Sequence, residues 1–463
     1  MTAVQLSRAI FRAYDIRGIV GQGLDPDSVR RIGQAIGSEA LDAGETTLIT
    51  GADARLSSPQ LAQALQAGIL ASGCKVIDLG VVPTPLLYFA THTLDCGSGA
   101  MLTGSHNPRD YNGIKIVLKQ QTLADNQISN LYERIVGNRL RQGQGTRTGQ
   151  TVQQAYIERI CRDVVLKRPL KVVLDCGNGV CGLVAPALFQ ALGCEVIPLF
   201  CEPDGNFPNH HPDPTRPENL HALRARVLQE QADLGIAFDG DGDRLGLLTG
   251  SGAVINADHM LLAFVMDVLP DNPGASVVFD VKSSHHLDRV IRASGGRPVM
   301  CKSGHSYVKR KLQETAALLG GEFSAHIFFK HRWYGFDDGM YTAARFLELL
   351  DKYQVSADQL FDRLPQSFST PELFIPVAEE DKFPLMTHLQ ASLRFEGAAL
   401  NYLDGIRADF EQGWGLIRAS NTTPNLVLRF EADTALALPA IQTRFRSALQ
   451  LLAPQLGLEI LGQ

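Results

Sequence analysis

The chain holds 463 residues, 45% hydrophobic and 20% charged, the balance of an ordinary globular protein with apolar material for several cores. At about 150 residues per domain, length alone suggests about three domains. A net charge of -6 argues against a nucleic-acid binder that works through a broad basic surface, while leaving room for basic pockets that hold small anions.

The eight cysteines sit mostly in apolar stretches and form no C-x-x-C pair. That pattern favours reduced, buried thiols and argues against a zinc site. Arg8, Arg12 and Asp15 interrupt the apolar core that a signal peptide needs, and no segment reaches the ~18 apolar residues of a membrane span. The expectation is a cytoplasmic protein with neither a membrane nor a nucleic-acid partner.

In chain order, residues 46–50 read as a buried strand stopping at Gly51, and 57–72 as a helix opened by Ser57, Ser58 and Pro59. Residues 75–79 form a second strand, a helix follows Pro83 and Pro85, and 99–103 form a third strand. This alternation predicts a mainly parallel sheet covered by helices. The same pattern restarts at 170, with a G-N-G-V-C-G turn, a helix over 183–192 and a strand running into D-G-D-G-D-R. It restarts again at 275, with a helix near 284–294 and a strand at R-P-V-M-C. Beyond a linker around Pro365 to Thr370, strands at 373–378, 414–418 and 425–430 and helices at 383–393 and 436–451 predict a separate α+β unit. The expected divisions are 1–150, 151–252, 253–365 and 366–463: three related mixed α/β domains plus a C-terminal α+β domain.

Six segments carry groups suited to chemistry. In Thr103–Pro108 (T-G-S-H-N-P), Gly104 permits a tight turn that leaves the Ser105 hydroxyl uncovered, at a strand end where open α/β sheets bind ligands. Taken alone, this loop also fits a plain polar turn. In Asp239–Arg244 (D-G-D-G-D-R), the carboxylates of Asp239, Asp241 and Asp243 alternate with glycines and can curl round one hard cation. An EF-hand fails, because its sixth and twelfth positions would be Arg244 and Gly250. Gly177–Gly182 is a literal G-x-G-x-x-G after a strand, with Glu202 further on; it leaves an NAD-dependent oxidoreductase open as an alternative.

Gly321–His326 (G-E-F-S-A-H) offers Glu322 and Ser324 to vicinal sugar hydroxyls and His326 as a proton carrier. Arg418–Pro424 (R-A-S-N-T-T-P) combines an arginine with the short donors Ser420, Asn421, Thr422 and Thr423, a set that fits a phosphate. Near the start, Tyr14–Gly18 (Y-D-I-R-G) places Arg17 where it can bridge a phosphate and Ser105.

Together, F-R-A-Y-D-I-R-G at 11–18 and the loops at 103–108, 239–244, 321–326 and 418–424 resemble the α-D-phosphohexomutases. The closest likeness is to the bacterial phosphomannomutase/phosphoglucomutase branch, and the motifs fall in that family's order across nearly the whole chain. The resemblance implies four domains round a central cleft, each lending one loop. It places the phosphoserine on Ser105 and the metal on Asp239, Asp241, Asp243 and the Ser105 group. It puts sugar selection on Glu322 and Ser324, and the distal phosphate site on Arg418, Ser420, Asn421 and Thr422. Lys115, Arg244, Lys282 and His305 match further cleft positions, and Tyr14 joins the substrate-binding set.

The implied reaction is reversible phosphoryl transfer between the 1- and 6-positions of mannose and glucose phosphates. It runs through a hexose 1,6-bisphosphate that turns end for end, with Mg2+ as cofactor, glucose 1,6-bisphosphate as activator, and a monomer as the working form. Arg17, Lys115 and Arg244 would add positive charge to the transferring group. The proton acceptor stays open between Lys115, with a desolvation-lowered pKa, and His326. Phosphoglucosamine mutase is the runner-up within the class, and a silent sugar-phosphate binder is another alternative.

The chain departs from the family pattern in places. Gly51–Arg55 reads G-A-D-A-R, and Ala54 stands where glycine is frequent. A positive φ at Ala54 would cost about 1 kcal/mol. Ala325 replaces a glycine between Ser324 and His326, and His285 and His286 stand where relatives carry basic residues.

Overall fold

The computed structural model describes residues 6–421 and 423–462. In the first sheet, Thr47–Ala52 lies parallel to Lys75–Val81 and Gly99–Leu102. Gly99–Leu102 then pairs antiparallel with Tyr111–Leu118, which pairs antiparallel with Ile16–Ile19. The second sheet centres on Lys171–Asp175, parallel to Glu195–Leu199 and to Leu234–Phe238; the last turns antiparallel into Leu245–Thr249. The third centres on Ser276–Asp280, parallel to Arg297–Cys301 and Leu319–Gly321; the last turns antiparallel into Ile327–Phe329.

The alternating pattern therefore does mark a repeat, but the sheets are mixed rather than mainly parallel. Parallel neighbours need a long crossover, whereas a short loop can only return the chain antiparallel. The first strand also runs on through Gly51 to Ala52.

The fourth sheet is antiparallel throughout, with Asn425–Ala432, Gly413–Ala419 and Ile406–Phe410 side by side. Helices Lys382–Ser392 and Ala437–Leu452 pack on it, as an α+β unit requires. The segment expected as a linker holds a short edge strand, Phe368–Ser369, paired with Glu431 and Ala432.

The four motif loops occupy one topological place. Each joins a strand to its antiparallel partner: 103–110 in the first sheet, 239–244 in the second, 322–326 in the third and 420–424 in the fourth. A hairpin end is where side chains leave the sheet and can converge on a shared space.

Burial divides the molecule unevenly. One apolar cluster runs through the first three units, joining Leu86 and Phe89 to Leu188, Phe238, Phe264 and Met340. The fourth unit has its own core round Ile417, Leu428 and Phe445. It meets the third through buried arginines. Arg407 Nη1 donates to the carbonyls of Val281 (2.7 Å) and Ser283 (2.9 Å), and its guanidinium lies 3.9 Å from the Trp414 ring centre. Arg429 donates to the carbonyl of Lys282 and lies 3.8 Å from the Phe323 ring centre.

The glycines of 177–182 serve packing. Gly177 has φ +51, and Val180 N donates to Gly240 O at 3.2 Å, tying the turn to the aspartate loop. A Cβ on Gly179 would lie 2.9 Å from Gly240 O, and one on Gly182 would lie 1.7 Å from Cys201 O. The helix expected over 183–192 starts as a 3-10 turn, Val180–Leu183, and becomes α-helical at Ala185–Ala191. Gly182→Ala must displace backbone, so it should destabilise the fold by about 1–3 kcal/mol in urea unfolding.

Candidate active site

The Ser105 loop is built from behind. Asp53 and Arg55 follow the strand Thr47–Ala52 and are almost wholly buried. Asp53 Oδ2 accepts from Thr103 Oγ1 (2.9 Å) and Gly104 N (3.0 Å). Arg55 spreads its guanidinium over the loop carbonyls, donating to Ser105 (2.7 Å), Asn107 (2.7 Å), Pro108 (2.5 Å) and Tyr111 (3.1 Å). A Cβ on Gly104 would lie 2.4 Å from Arg55 Nε, so the arginine needs a glycine there. Ser105 itself sits at φ +49, a conformation that costs a non-glycine residue about 1 kcal/mol or more. Ala54 shows no positive φ, so its replacement of glycine carries no strain.

Ser105 Oγ donates to Asp239 Oδ2 at 2.8 Å and lies 3.2 Å from His106 Nδ1. Asp239, Asp241 and Asp243 are fully buried, with one oxygen of each within 4.8 Å of the others. Lys115, on Tyr111–Leu118 of the first sheet, donates to Asp241 Oδ2 at 2.7 Å and also to Asp243. Thr84 Oγ1 donates to Asp241 Oδ2 at 2.5 Å. Burial and the neighbouring carboxylates push Asp239 well above the ordinary aspartate range. Burial disfavours the Asp243 charge too, but Lys115 and His326 outweigh it and hold the group well below that range. Asp241 Oδ1 is buried with no hydrogen-bond partner among the described residues. Clustered carboxylates with an oxygen to spare fit a hard divalent cation.

The 322–326 loop arrives from the third sheet. Glu322 Oε1 accepts from Gly304 N at 2.5 Å, and its Oε2 lies 3.3 Å from His326 Nδ1. Ser324 Oγ is 3.1 Å from the same Nδ1, and His326 Nε2 is 3.4 Å from Asp243 Oδ1. Ala325 adopts φ +72; here the missing glycine does meet a left-handed backbone. His305 stacks edge-on with Tyr14 at 5.2 Å and lies 3.6 Å from Asp337. Lys282 pairs with Glu372 at 3.1 Å.

Burial disfavours the His326 charge, but Asp243, helped by Glu322, lifts its pKa to about 9. Burial likewise lowers Lys115, but Asp241 and Asp243 outweigh it and hold the ammonium well above its ordinary value. Both groups are protonated at pH 7 with these neighbours. Beside these carboxylates the shift of Lys115 runs opposite to the lowered value expected. The neutral imidazoles are His106, depressed by burial and by Arg244 and Arg17, and His305, depressed by burial, Lys309 and Lys115. Burial, then Asp15, pushes Tyr14 up to about 12, so its hydroxyl keeps its proton.

Arg418 pairs with Asp404 at 3.0 Å. Ser420 Oγ accepts from Thr423 N (3.1 Å) and Thr423 Oγ1 (2.9 Å). Thr422 lies outside the described residues. Arg17 pairs with Asp15 at 2.6 Å and donates to Asn107; Arg244 lies 3.9 Å from Asp213 and 4.0 Å from Asp239. One cleft of about 580 Å³ takes in Tyr14, Arg17, Ser105, Lys115, Arg244, Lys282, His305, Glu322, Ser324, His326, Arg418, Ser420 and Asn421. That volume suits a small polar ligand.

Sequence reasoning quoted Asp53, Arg55 and His106 inside motifs without giving them a role, and it missed Thr84, Asp337, Glu372 and Asp404, which also position these groups. Asp53 and Arg55 had a signal, a charged pair directly after a buried strand. Glu372 and Asp404 had none, since only folding brings them to Lys282 and Arg418.

A hydroxyl beside buried carboxylates, in one cleft with Arg17, Arg244 and Arg418, fits an enzyme of phosphoryl chemistry. Models of the phosphoglucomutase/phosphomannomutase domains match in order: α/β/α domain I over residues 8–141, II over 154–252, III over 256–368, and the C-terminal domain over 375–448. The chain is 53% identical over 448 residues to a phosphomannomutase/phosphoglucomutase of Pseudomonas aeruginosa, covering 97% of each. It is 48% identical over 449 residues to a phosphoglucomutase of Neisseria gonorrhoeae, covering 96% of this chain and 97% of that one. The crystal structure of a phosphoglucomutase/phosphomannomutase family protein from Burkholderia thailandensis superposes with a TM-score of 0.92 at 48% identity, over 97% of this chain and 99% of that one. The chain belongs to the phosphoglucomutase/phosphomannomutase family, the α-D-phosphohexomutases, isomerases of hexose phosphates.

Two substitutions test the positioning. Ala325→Gly should raise stability by about 1 kcal/mol in urea unfolding, because glycine removes the left-handed penalty. Arg55→Lys cannot hold the loop carbonyls with one ammonium, so turnover should fall roughly 10²-fold while far-UV circular dichroism stays unchanged.

Proposed function

We propose that this chain moves a phosphoryl group reversibly between the 1- and 6-positions of mannose and glucose phosphates, with Ser105 as the carrier. The observation that carries the reading is the Ser105 hydroxyl, 2.8 Å from Asp239, held in a strained turn at the meeting point of two sheets.

Asp239, Asp241, Asp243 and the Ser105 group would hold the cation, for which Mg2+ is the natural choice; when bound, it supplies positive charge to the transferring oxygens. The chain's own groups do the rest. Ser105 Oγ gives its phosphoryl group to the free sugar hydroxyl: the serine P–O bond breaks as the sugar P–O bond forms, and the proton lost by the sugar hydroxyl is balanced by the one Ser105 Oγ takes up. Lys115, Arg17 and Arg244 balance the charge on that group, and His326 presents a proton near it. Glu322 and Ser324 orient the sugar hydroxyls. Arg418, Ser420 and Asn421, with Thr422 of the same motif, grip the remote phosphate. The bisphosphate then turns round, and its other phosphoryl group returns to Ser105. Added glucose 1,6-bisphosphate primes an unphosphorylated Ser105.

The proposal assigns one loop to each of the units 1–150, 151–252, 253–365 and 366–463, in a monomer working in the cytoplasm; the eight free cysteines support a reducing compartment. No helix among the described residues is long and apolar enough to cross a membrane. The Pseudomonas relative is named for both sugars and the Neisseria relative for glucose, which supports a dual preference.

The test is turnover of glucose, mannose and glucosamine 1-phosphates with Mg2+ and trace bisphosphate. The first two should be converted, and Ser105→Ala should lose roughly 10³-fold or more. A preference for the glucosamine phosphate, or full turnover by Ser105→Ala, would contradict the reading. Chelation should abolish turnover, and Mg2+ should restore it.

A further inference from the structure

Away from the cleft, the junction of the third and fourth units gathers a second set of ligating side chains. His285 and His286 open the helix His286–Ala293, and Asp433 directly follows the strand Asn425–Ala432. The imidazole rings are 4.4 Å apart, and His285 Nε2 lies 2.9 Å from Asp433 Oδ1. One ligand atom from each of the three residues falls within 4.8 Å of the others. His286 is 6% exposed, and its Nε2 is buried with no hydrogen-bond partner among the described residues; the same holds for His285 Nδ1, which lies 3.9 Å from Glu431. A buried ring nitrogen left without a partner is a departure that calls for a physical reason.

The surroundings hold these groups in place. His286 N donates to Ser284 Oγ at 3.1 Å, and Ser284 Oγ donates to Glu431 Oε1 at 2.5 Å. Glu431 also accepts from Ser367 Oγ (2.7 Å) and Trp414 Nε1 (3.0 Å). The nearby positive charges are Arg289, 3.6 Å from Asp433, and Arg429, 3.9 Å from Glu431. The two carboxylates offset them and leave the imidazoles free to ligate a cation.

We propose that His285, His286 and Asp433 form a binding site for a borderline divalent metal such as Zn2+. Two imidazoles and a carboxylate suit zinc, cobalt or nickel, whereas the all-oxygen aspartate loop suits a harder ion. Three protein ligands leave a fourth position for water. The cation would take the place of the hydrogen bond between His285 Nε2 and Asp433 Oδ1. Because two ligands come from the third unit and one from the fourth, the cation clips together the units joined by Arg407 and Arg429. It thereby holds the Arg418 loop in place relative to Lys282.

The test is calorimetric titration of Zn2+ into the intact chain in excess Mg2+, beside thermal melts. One equivalent should bind and raise the melting midpoint. Both effects should persist in Asp241→Asn and vanish in His286→Gln and Asp433→Asn, with circular dichroism confirming that the variants fold. If His286→Gln misfolds, His285→Gln takes its place. An equivalent that survives in the histidine variant and disappears in Asp241→Asn would place the zinc on the aspartate loop and overturn the proposal. So would the absence of any such equivalent in the unaltered chain.

Discussion

Three aspartates of one short loop are buried side by side, and their mutual repulsion is the constraint that organises the rest of the site. Unpaired carboxylates in such a place would be protonated or would unfold the loop. The fold answers with charge brought from other sheets: Lys115 from the first and His326 from the third both reach Asp243. Charge compensation is therefore also an assembly device, because it requires three units to close on one point. The same arrangement raises the pKa of both Lys115 and His326.

The four loops share a topological position but not a mechanical one. The first three units are joined by one apolar cluster, beside which the first has a core of its own round Ile36, Leu65 and Ile116, so the Ser105, aspartate and 322–326 loops are linked through shared packing. The fourth has a separate core and meets the third through Arg407, Arg429 and a buried Trp414. A junction held by a few buried arginines and a small apolar cluster of Val281, Met300, Trp414 and Leu416 is a usual place for one unit to shift against another. The division suits a reaction in which the chemistry stays fixed while the remote phosphate is regripped after the intermediate turns.

Much of this was legible in the sequence because the signals were local. Gly104 beside Ser105, and the glycines between the aspartates, announced turns that expose side chains. Strand followed by polar loop marked each hairpin end. What stayed hidden was non-local. The resemblance marked Lys115, but nothing local showed that Tyr111–Leu118 turns the first sheet antiparallel and carries that lysine to the aspartates. Arg55 looked like part of a weakened loop motif, and only the fold shows it holding the carbonyls of the Ser105 turn. Of the two alanines that stand where glycine is usual, Ala325 has a positive φ and Ala54 does not, a distinction that depends on the path of the backbone rather than on composition. The glycines of 177–182 resembled a dinucleotide turn because close packing and cofactor binding ask for the same small residue.

The central claim is that Ser105 stores the phosphoryl group. The most direct measurement is intact and peptide mass spectrometry after incubation with glucose 1,6-bisphosphate and Mg2+. The account predicts one added phosphoryl group, on the peptide holding Ser105, which is lost on exposure to excess unphosphorylated glucose. No gain, or a gain that maps to another residue, would contradict it.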